Sequence, residues 1–334
     1  MLTLGLAAPG VAAPKSHPAP PGTLIPAPDD GVVALQAMLS KPENQIDLAE
    51  AKVTIDHMLD PSVDELGTLA QVDEWAKKVR ARIPPGTPEW DQLVILSKTL
   101  YEPGPWNDHH RFNYAFDDPF GKDLHTSELS HYLATRRGNC VSMPIFFAIL
   151  AQKIGLTATL AVAPNHILVK FKHFGQWMNI EATSGGWLKD SQYQEEFDIS
   201  PVAMQSGIYL RPLSPREAVV AMATPLLDEY KVHHTPAQQL AIANLALTYY
   251  PMDIVAMLNR ALAYDDQVTL LYRNKYPDPA LMSPAQQADY QALMGHYFET
   301  GNQIKALGWH QRSQQQDADY VQRIQQAKAA DTGG

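Results

Sequence analysis

The apolar positions of the first hundred residues recur every three or four residues, which predicts amphipathic helices between Gly31 and about Leu100. The three apolar stripes are Leu48, Ala51, Ile55, Met58 and Leu59; Leu66, Leu69, Val72, Trp75, Val79 and Ile83; and Leu93, Leu96 and Leu100. Pro84-Pro85-Gly86 follows the second stripe and predicts the end of that helix. The region 101–123 is aromatic and has no period, which is typical of an ordered functional loop.

The middle of the chain combines helical and strand patterns. A short helix is predicted from about Ser127 to Arg136, and a buried helix over 141–154 that begins at about Cys140, because Pro144 is tolerated only in a first turn. Gly155 suits the end of that helix. Three strand-like runs follow, closed by Gly185-Gly186; they span 157–163, 166–172 and 176–183.

Helical patterns return after about Pro225. Tyr290, Leu293, Tyr297 and Ala306 match spacings of a tetratricopeptide repeat, and Leu245 with Tyr249 forms a poorer second unit. Leu245 and Leu293 are 48 positions apart, whereas the repeat has a period of about 34 residues. An ordinary helical bundle therefore stays an alternative. The Gln- and Ala-rich tail beyond Ser313 is predicted to be an exposed helix that frays.

Composition restricts the function classes. The chain has 334 residues, a length typical of about two domains, and its 26 basic and 36 acidic residues give a net charge of −10. This charge argues against nucleic-acid binding. No apolar run is long enough to cross a membrane. A single cysteine excludes an intramolecular disulfide, and neither His109-His110 nor His233-His234 has the spacing of a closed metal site. We expect no metal and no cofactor.

The first residues predict export. Residues 1–13 are similar to the late part of a secretory signal, with a disordered Ala-rich tail as the alternative, and six prolines between Pro14 and Pro28 indicate an extended tether. We therefore expect a periplasmic or secreted protein. The expected divisions are a signal remnant and tether over 1–29, a mixed helix-and-strand domain over 30–224, and a helical domain over 225–334.

Candidate chemistry converges on Cys140. A helix N-terminus carries partial positive charge, which favours a thiolate nucleophile. His166 begins a strand 26 residues later, and Glu181 lies 15 residues beyond it. If 172–175 forms the loop of a hairpin, Phe171 faces Gln176 and His166 faces Glu181, with Cβ atoms about 5 Å apart. A carboxylate there would orient the histidine as the third member of a nucleophile–base–acid set.

These residues resemble the transglutaminase-like superfamily of the papain-like thiol fold, and within it the bacterial SirB-type branch with tetratricopeptide-like helices. The resemblance extends over about 85 residues, from Trp106 to Asp190. The matching pieces are Phe112-Asn113-Tyr114, Leu133, Arg137-Gly138-Asn139-Cys140, Leu150, Gly155-Leu156, Pro164-Asn165-His166 and Trp177 to Thr183. Where family members usually carry Asp-Pro-Thr, this sequence has Glu181-Ala182-Thr183.

The resemblance implies an α+β fold in which a nucleophile helix packs on an antiparallel sheet, followed by an all-helical C-terminal region. It also implies acyl transfer through a thioester on Cys140, with His166 moving the proton. The backbone N–H of Cys140 would stabilise the oxyanion, and Trp106, Tyr114 and Asn139 are candidates for a second donor.

Two functions follow from these expectations. The first is a cysteine-dependent amide hydrolase or acyltransferase, which acts on a protein or peptide and uses a Cys140-His166-Glu181 triad. The alternative is a catalytically silent binding protein whose C-terminal helices hold a protein partner. Thiol reactivity distinguishes the two, because a silent core would leave Cys140 to react as an ordinary or buried thiol.

Overall fold

The computed structural model describes residues 29–118, 123–183 and 186–331, and these residues form fifteen α-helices and six strands. The helices are α1 Asp30–Leu39, α2 Leu48–Leu59, α3 Glu65–Ala81, α4 Glu89–Tyr101, α5 Leu124–Ser127, α6 Leu129–Thr135, α7 Ser142–Ile154, α8 Asp190–Glu196, α9 Pro201–Ser206, α10 Pro215–Met222, α11 Thr224–His233, α12 Pro236–Tyr249, α13 Ile254–Val268, α14 Pro284–Ala306 and α15 Gln314–Asp331. The strands are β1 Asn113–Tyr114, β2 Arg137–Gly138, β3 Ala158–Ala163, β4 His166–His173, β5 Gln176–Glu181 and β6 Gly186–Leu188. The expected signal remnant and tether, except for Asp29, and Gly185 of the predicted turn lie outside the described residues.

The three helices predicted from the N-terminal stripes are α2, α3 and α4. Aspartates cap the first two, because Asp47 accepts from the backbone N–H groups of Ala49 and Glu50, and Asp64 accepts from that of Gly67. Such caps satisfy N–H groups that have no partner within the helix. The helix α3 ends at Ala81, three residues before the proline pair that predicted its end.

The helix α7 is the centre of the fold. Its residues from Ser142 to Ala151 are all buried. They pack against α2, α3, α4 and α6 on one side and against β3 and β4 on the other. Gly155 ends the helix with a φ of 84°, a conformation that favours glycine. The predicted buried helix is therefore present, and Cys140 lies two residues before its first residue.

The four strands β3, β4, β5 and β6 form an antiparallel sheet in chain order. The β4–β5 pairing differs from the predicted one: Phe171 faces Met178, and His173 faces Gln176. The predicted four-residue loop is wrong because the turn contains only Phe174 and Gly175, which both have positive φ (46° and 80°). Two-residue turns of this kind match the twist of paired strands and extend the hairpin.

The C-terminal helices share a hydrophobic core with the rest of the molecule. The helix α11 contacts α2, and α12 contacts α1 and α10. A smaller core farther along the chain contains Val268, Tyr272, Met282 and Leu293. The structure is thus a mixed helix-and-strand protein with a helical C-terminal region, as expected. None of the described helices has both the length and the apolar character needed to span a bilayer.

The last helix agrees with the expected exposed tail at most of its described positions. One face of α15 nevertheless packs against the body of the protein. Tyr320 is only 8% exposed, and Ile324 packs against the main core. Two apolar side chains four residues apart lie on one face of a helix, and this face was hidden among glutamines in the sequence pattern.

Candidate active site

The segment before α7 passes very close to neighbouring side chains at Gly138, and this close approach fixes its position. Strands β1 and β2 are parallel, with Tyr114 opposite Gly138. A Cβ atom at Gly138 would lie 2.5 Å from Ser142 Oγ and 2.6 Å from ring carbons of Tyr132, so only glycine fits. The sequence Arg137-Gly138-Asn139-Cys140 therefore places Tyr114 and Cys140 on neighbouring segments.

Asn139 holds the start of α7. Its Oδ1 accepts from the backbone N–H groups of Val141 (2.9 Å) and Ser142 (3.1 Å). Its Nδ2 donates to Thr126 Oγ1 (2.9 Å) and Ser127 Oγ (3.2 Å). Because both N–H bonds of the amide are used, Asn139 does not fit the role of oxyanion donor. It is instead a cap that fixes the backbone next to Cys140.

Cys140 is buried, with 4% of its surface exposed. Its thiol points toward the backbone oxygen of Asn165, 3.7 Å from Sγ. Asn165 lies in the turn between β3 and β4 and has a φ of 55°, a conformation that asparagine tolerates better than most residues. The turn that precedes His166 thus contacts the sulfur directly.

His166 and Glu181 form the expected contact, with 2.9 Å between Nε2 and Oε2. They are not directly opposite, because the observed register is displaced by two residues from the predicted one. A displacement of two residues preserves the face on which each side chain lies, whereas one residue would reverse it. The pair is therefore diagonal across the sheet, and the long glutamate side chain spans the greater distance.

Glu181 accepts four hydrogen bonds. Besides His166, Tyr193 donates to Oε2 (2.6 Å), while the backbone N–H (3.1 Å) and hydroxyl (2.5 Å) of Thr183 donate to Oε1. Burial opposes the charged carboxylate, but the charge of His166 and these donors outweigh it and lower the pKa of Glu181 to about 2. Glu181 is therefore a fixed anion at neutral pH.

His166 is held in its charged form. Burial opposes the imidazolium, but the charge of Glu181 and contacts with Cys140 raise the pKa of His166 to about 10. The ring stacks on Phe197, with centroids 5.1 Å apart. Its Nδ1 is buried and has no nitrogen or oxygen partner among the described residues, which leaves Cys140, whose contact helps to raise the pKa, as its neighbour. One ring nitrogen is thus bound to the carboxylate, and the other is left for the sulfur or a substrate.

A cavity of about 200 Å³ joins these groups. Its wall is formed by Tyr114, Cys140, His166, Glu181, Thr183, Leu188, Glu196, Phe197, Tyr320 and Ile324. Three of the predicted site residues and one oxyanion candidate, Tyr114, therefore meet in one place. The Tyr114 hydroxyl is buried, and a hydrogen bond with Tyr320 is among the causes that raise its pKa.

Trp106 does not line this cavity. The guanidinium carbon of Arg82 lies 3.5 Å from the centre of a Trp106 ring, and a Cβ atom at Gly104 would meet the indole carbons. Trp106 therefore packs against its own loop and against Arg82, the residue after α3, and its placement does not fit an oxyanion donor for Cys140.

The sequence pattern did not predict several residues of the site. Tyr193 and Phe197 follow the last strand of the sheet, where no motif distinguishes them from ordinary helix residues. Thr183 belongs to the segment that resembles the family, but nothing in the spacing predicted two donors to Glu181. Tyr320 lies 139 positions after Glu181; only the tertiary fold brings it to the cavity.

A second titratable cluster lies outside the cavity. Ligand atoms of Asp60, His125 and Glu128 lie within 4.8 Å of one another. His125 Nδ1 is 3.0 Å from Glu128 Oε1, and Asp60 Oδ1 accepts from the backbone N–H of Ser62 (2.9 Å). The hydrogen bond and charge of Glu128 raise the pKa of His125. Contacts within the protein thus account for this cluster, which the sequence spacing did not reveal.

A comparison with protein-family models matches the part of the chain that contains Cys140, His166 and Glu181. Residues 67–224 match the family model of the transglutaminase-like superfamily, so the chain contains a transglutaminase-like domain over these residues. This match assigns neither the SirB-type branch nor tetratricopeptide repeats. No curated protein matches the chain.

Among solved structures, the chain is similar to menin, whose crystal structure reveals the binding site for the Mixed Lineage Leukemia (MLL) protein. The identity is 13%, the alignment covers 84% of this chain and 72% of that chain, and the TM-score is 0.38. A TM-score this low does not establish a common fold.

Proposed function

We propose that this protein is a cysteine-dependent amide hydrolase or acyltransferase that works through a thioester on Cys140. The observation that carries the proposal is His166, whose Nε2 is bound to Glu181 while its other nitrogen has no nitrogen or oxygen partner within the described chain, in a cavity shared with Cys140. A nucleophile, a proton carrier and an orienting carboxylate are the parts that covalent acyl transfer requires. The match to the transglutaminase-like family model supports this chemistry.

The proposed reaction starts from a thiolate on Cys140 and an imidazolium on His166. The sulfur attacks the substrate carbonyl carbon, forms a C–S bond and converts the carbonyl oxygen to an oxyanion. As the oxyanion collapses, the C–N bond breaks, and His166 Nδ1 gives its proton to the departing amine. Water or a second amine then attacks the thioester, and His166 takes up the proton it loses. The acid or new amide leaves, and the thiolate–imidazolium pair is restored.

Tyr114 is the second oxyanion donor in this proposal, beside the backbone N–H of Cys140. Tyr114 lines the cavity together with Cys140, and the residue is 8% exposed. Burial, and then the charge of Cys140, raises the pKa of Tyr114, so the hydroxyl keeps its proton and can donate it. By contrast, the amide hydrogens of Asn139 are both used in other contacts, and Trp106 does not line the cavity.

The size of the cavity supports a protein or peptide substrate. At about 200 Å³, it is smaller than the roughly 300–1,000 Å³ of sites that enclose a whole small molecule. A single side chain of a longer chain fits such a space, while the rest of the substrate stays outside. The site needs no metal or cofactor for the steps above.

The test is labelling of Cys140 by iodoacetamide as a function of pH, with mass mapping of the adduct. We expect fast labelling at pH 6, and His166→Gln should slow it on the order of 10²-fold, in the range of general-base contributions. The matched control is His173→Gln, on the same strand but packed on Trp90 outside the cavity, and it should change nothing.

Incubation with p-nitrophenyl acetate should also yield an acetyl thioester on Cys140 that hydroxylamine removes. Labelling that follows an ordinary thiol with a pKa near ~8.5, equal in both histidine variants and without a thioester, would overturn the proposal. That result would favour the silent binding protein.

A further inference from the structure

The helix α15 forms one wall of the Cys140 cavity. Tyr320 and Ile324 line this cavity together with the residues of the proposed triad. The ring of Tyr320 lies 6.4 Å from that of Phe197, which in turn stacks on His166. Cys140 also lies close enough for its charge to affect the pKa of Tyr320, which burial raises to about 12. A segment distant in sequence thus closes the site.

Polar contacts tie this segment to the short stretch that carries Phe197. Asp198 Oδ2 accepts from Gln316 Nε2 (2.6 Å) and lies 3.2 Å from His310 Nε2. A guanidinium N–H of Arg323 donates to the backbone oxygen of Glu196 (3.3 Å). The anchors and the aromatic ring over His166 therefore belong to the same three residues of the chain.

The attachment of α15 is sparse. Between Gln314 and Gln326, the apolar side chains larger than alanine are Tyr320, Val321 and Ile324. The rest of this stretch is mostly glutamine, arginine and aspartate, and most of it is exposed. Segments with few buried apolar contacts open at a low free-energy cost, without global unfolding.

We propose that α15 is a detachable cover that controls access to Cys140. A protein substrate must bring its carbonyl carbon to Sγ, yet Cys140 is 4% exposed when α15 is in place. Release of the helix removes the wall made by Tyr320 and Ile324 and opens the cavity on that side. This regulation rests on the proposed function of the same cavity.

The experiment compares full-length variants by the rate at which Cys140 reacts with a bulky fluorescein maleimide and with small iodoacetamide. The opening variant is Tyr320→Ala with Ile324→Ala. The matched control is Gln322→Ala with Gln325→Ala, two exposed positions of the same helix. We expect the opening variant to react at least roughly tenfold faster with the maleimide, which corresponds to a shift of ~1.4 kcal/mol in the opening equilibrium. The control should match the parent chain.

A second variant leaves the cavity wall unchanged. Asp198→Asn removes the charged acceptor of Gln316 on α15 and of His310 just before the helix, and asparagine tolerates the φ of 52° at this position. We expect a smaller, severalfold increase in maleimide labelling. Circular dichroism and thermal unfolding establish that each variant is folded before its rate is interpreted.

Equal maleimide rates in the parent chain, both loosening variants and the control would overturn the cover. The outcome is separable from that of the proposed function. Faster maleimide labelling with the pH profile of an ordinary thiol would support the cover and refute the thiolate–imidazolium pair. Unchanged maleimide rates together with fast iodoacetamide labelling at pH 6 would refute the cover and support the thiolate–imidazolium pair.

Discussion

Two buried ion pairs in the described part of the chain are similar in charge and burial but differ in use. Lys52 and Asp56 pair within α2, both 1% exposed, and Asp56 Oδ2 also accepts from the backbone N–H of Leu129 at the start of α6. His166 and Glu181 pair across two strands beside the cavity. In the first pair, the carboxylate joins two helices. In the second, one ring nitrogen has no nitrogen or oxygen partner among the described residues and borders space that a substrate can enter.

The difference shows which property marks a functional pair. Burial alone perturbs both sites: it is the largest cause of the raised pKa of Asp56, and it opposes ionisation of both His166 and Glu181. Perturbed titration is therefore a weak guide, since structural pairs show it too. The distinguishing observation is an unused polar atom in a cavity that also contains a nucleophile.

Among the substitutions that test the comparison of the two ion pairs, we expect Glu181→Gln to have the largest effect, and this effect is on the reactivity of Cys140. The carboxylate stabilises the imidazolium and fixes its orientation, so its loss should slow thioester formation by roughly 10³- to 10⁴-fold, as for other triads. The measurement is the rate of acetylation of Cys140 by p-nitrophenyl acetate. Asp190→Asn serves as the control, because Asp190 also pairs with a buried cation on β4, Lys170. Similar acetylation rates in the two variants would show that Glu181 does not act with Cys140 and His166 as a triad.

The same variant has a defined stability profile with pH. Because the pKa of Glu181 is lowered from 4.5 to about 2, its stabilising contribution is present above pH 4.5 and lost as the pH falls toward 2. Because the pKa of His166 is raised from 6.5 to about 10, its contribution is present below pH 6.5 and lost as the pH rises toward 10. The unfolding free energy of the parent should thus exceed that of Glu181→Gln most between pH 4.5 and 6.5. A difference independent of pH would contradict the pairing.

Asp56→Ala should have the largest effect on stability alone. It leaves the Lys52 ammonium buried without its counter-charge and removes an acceptor from the Leu129 N–H, so we expect a loss of about 3–5 kcal/mol. Chemical denaturation measures this loss. Glu74→Ala, which breaks an exposed pair with Lys77 (66% and 64% exposed), should cost less than about 1 kcal/mol. Equal losses would show that the buried pair is not an energetic unit.

Tyr114→Phe should have the smallest effect and sharpens the comparison. Deleting one buried hydroxyl should cost at most about 1.5 kcal/mol of stability, while acetylation of Cys140 slows roughly 10- to 100-fold if the hydroxyl stabilises the oxyanion. Tyr250→Phe deletes another buried hydroxyl, which does not line the cavity, and its acetylation rate should stay at the parental value. Equal rates in the two variants would leave the backbone N–H of Cys140 as the donor.

Local signals in the sequence predicted most of the elements around the site. The stripes of α2, α3 and α4, the run of apolar residues in α7 and the glycine that ends it all depend on neighbours within four residues. Which residues of β4 and β5 share one face of the sheet is also a local property. The contact between His166 and Glu181 was therefore predicted correctly although the predicted register was wrong by two residues.

The remaining features depend on distant parts of the chain. The turn at Phe174 and Gly175 required knowing that an aromatic residue would adopt positive φ, against its usual preference. Tyr193 became a donor to Glu181 only because α8 packs back on the sheet. The periplasmic location and the protein partner on the C-terminal helices stay predictions.

The sequence by itself determined the order of nucleophile, histidine and carboxylate, and the elements that carry them, because periodicity and chain direction are properties of short segments. The tertiary structure alone decided that Asn139 is a cap, that Trp106 packs away from the cavity and that Tyr320 and Ile324 of α15 line it. These outcomes depend on which polar atoms find partners and which apolar faces meet, and such choices involve residues far apart along the chain. No local pattern encodes the meeting of Tyr320 with Phe197, since it exists only once the whole core has formed.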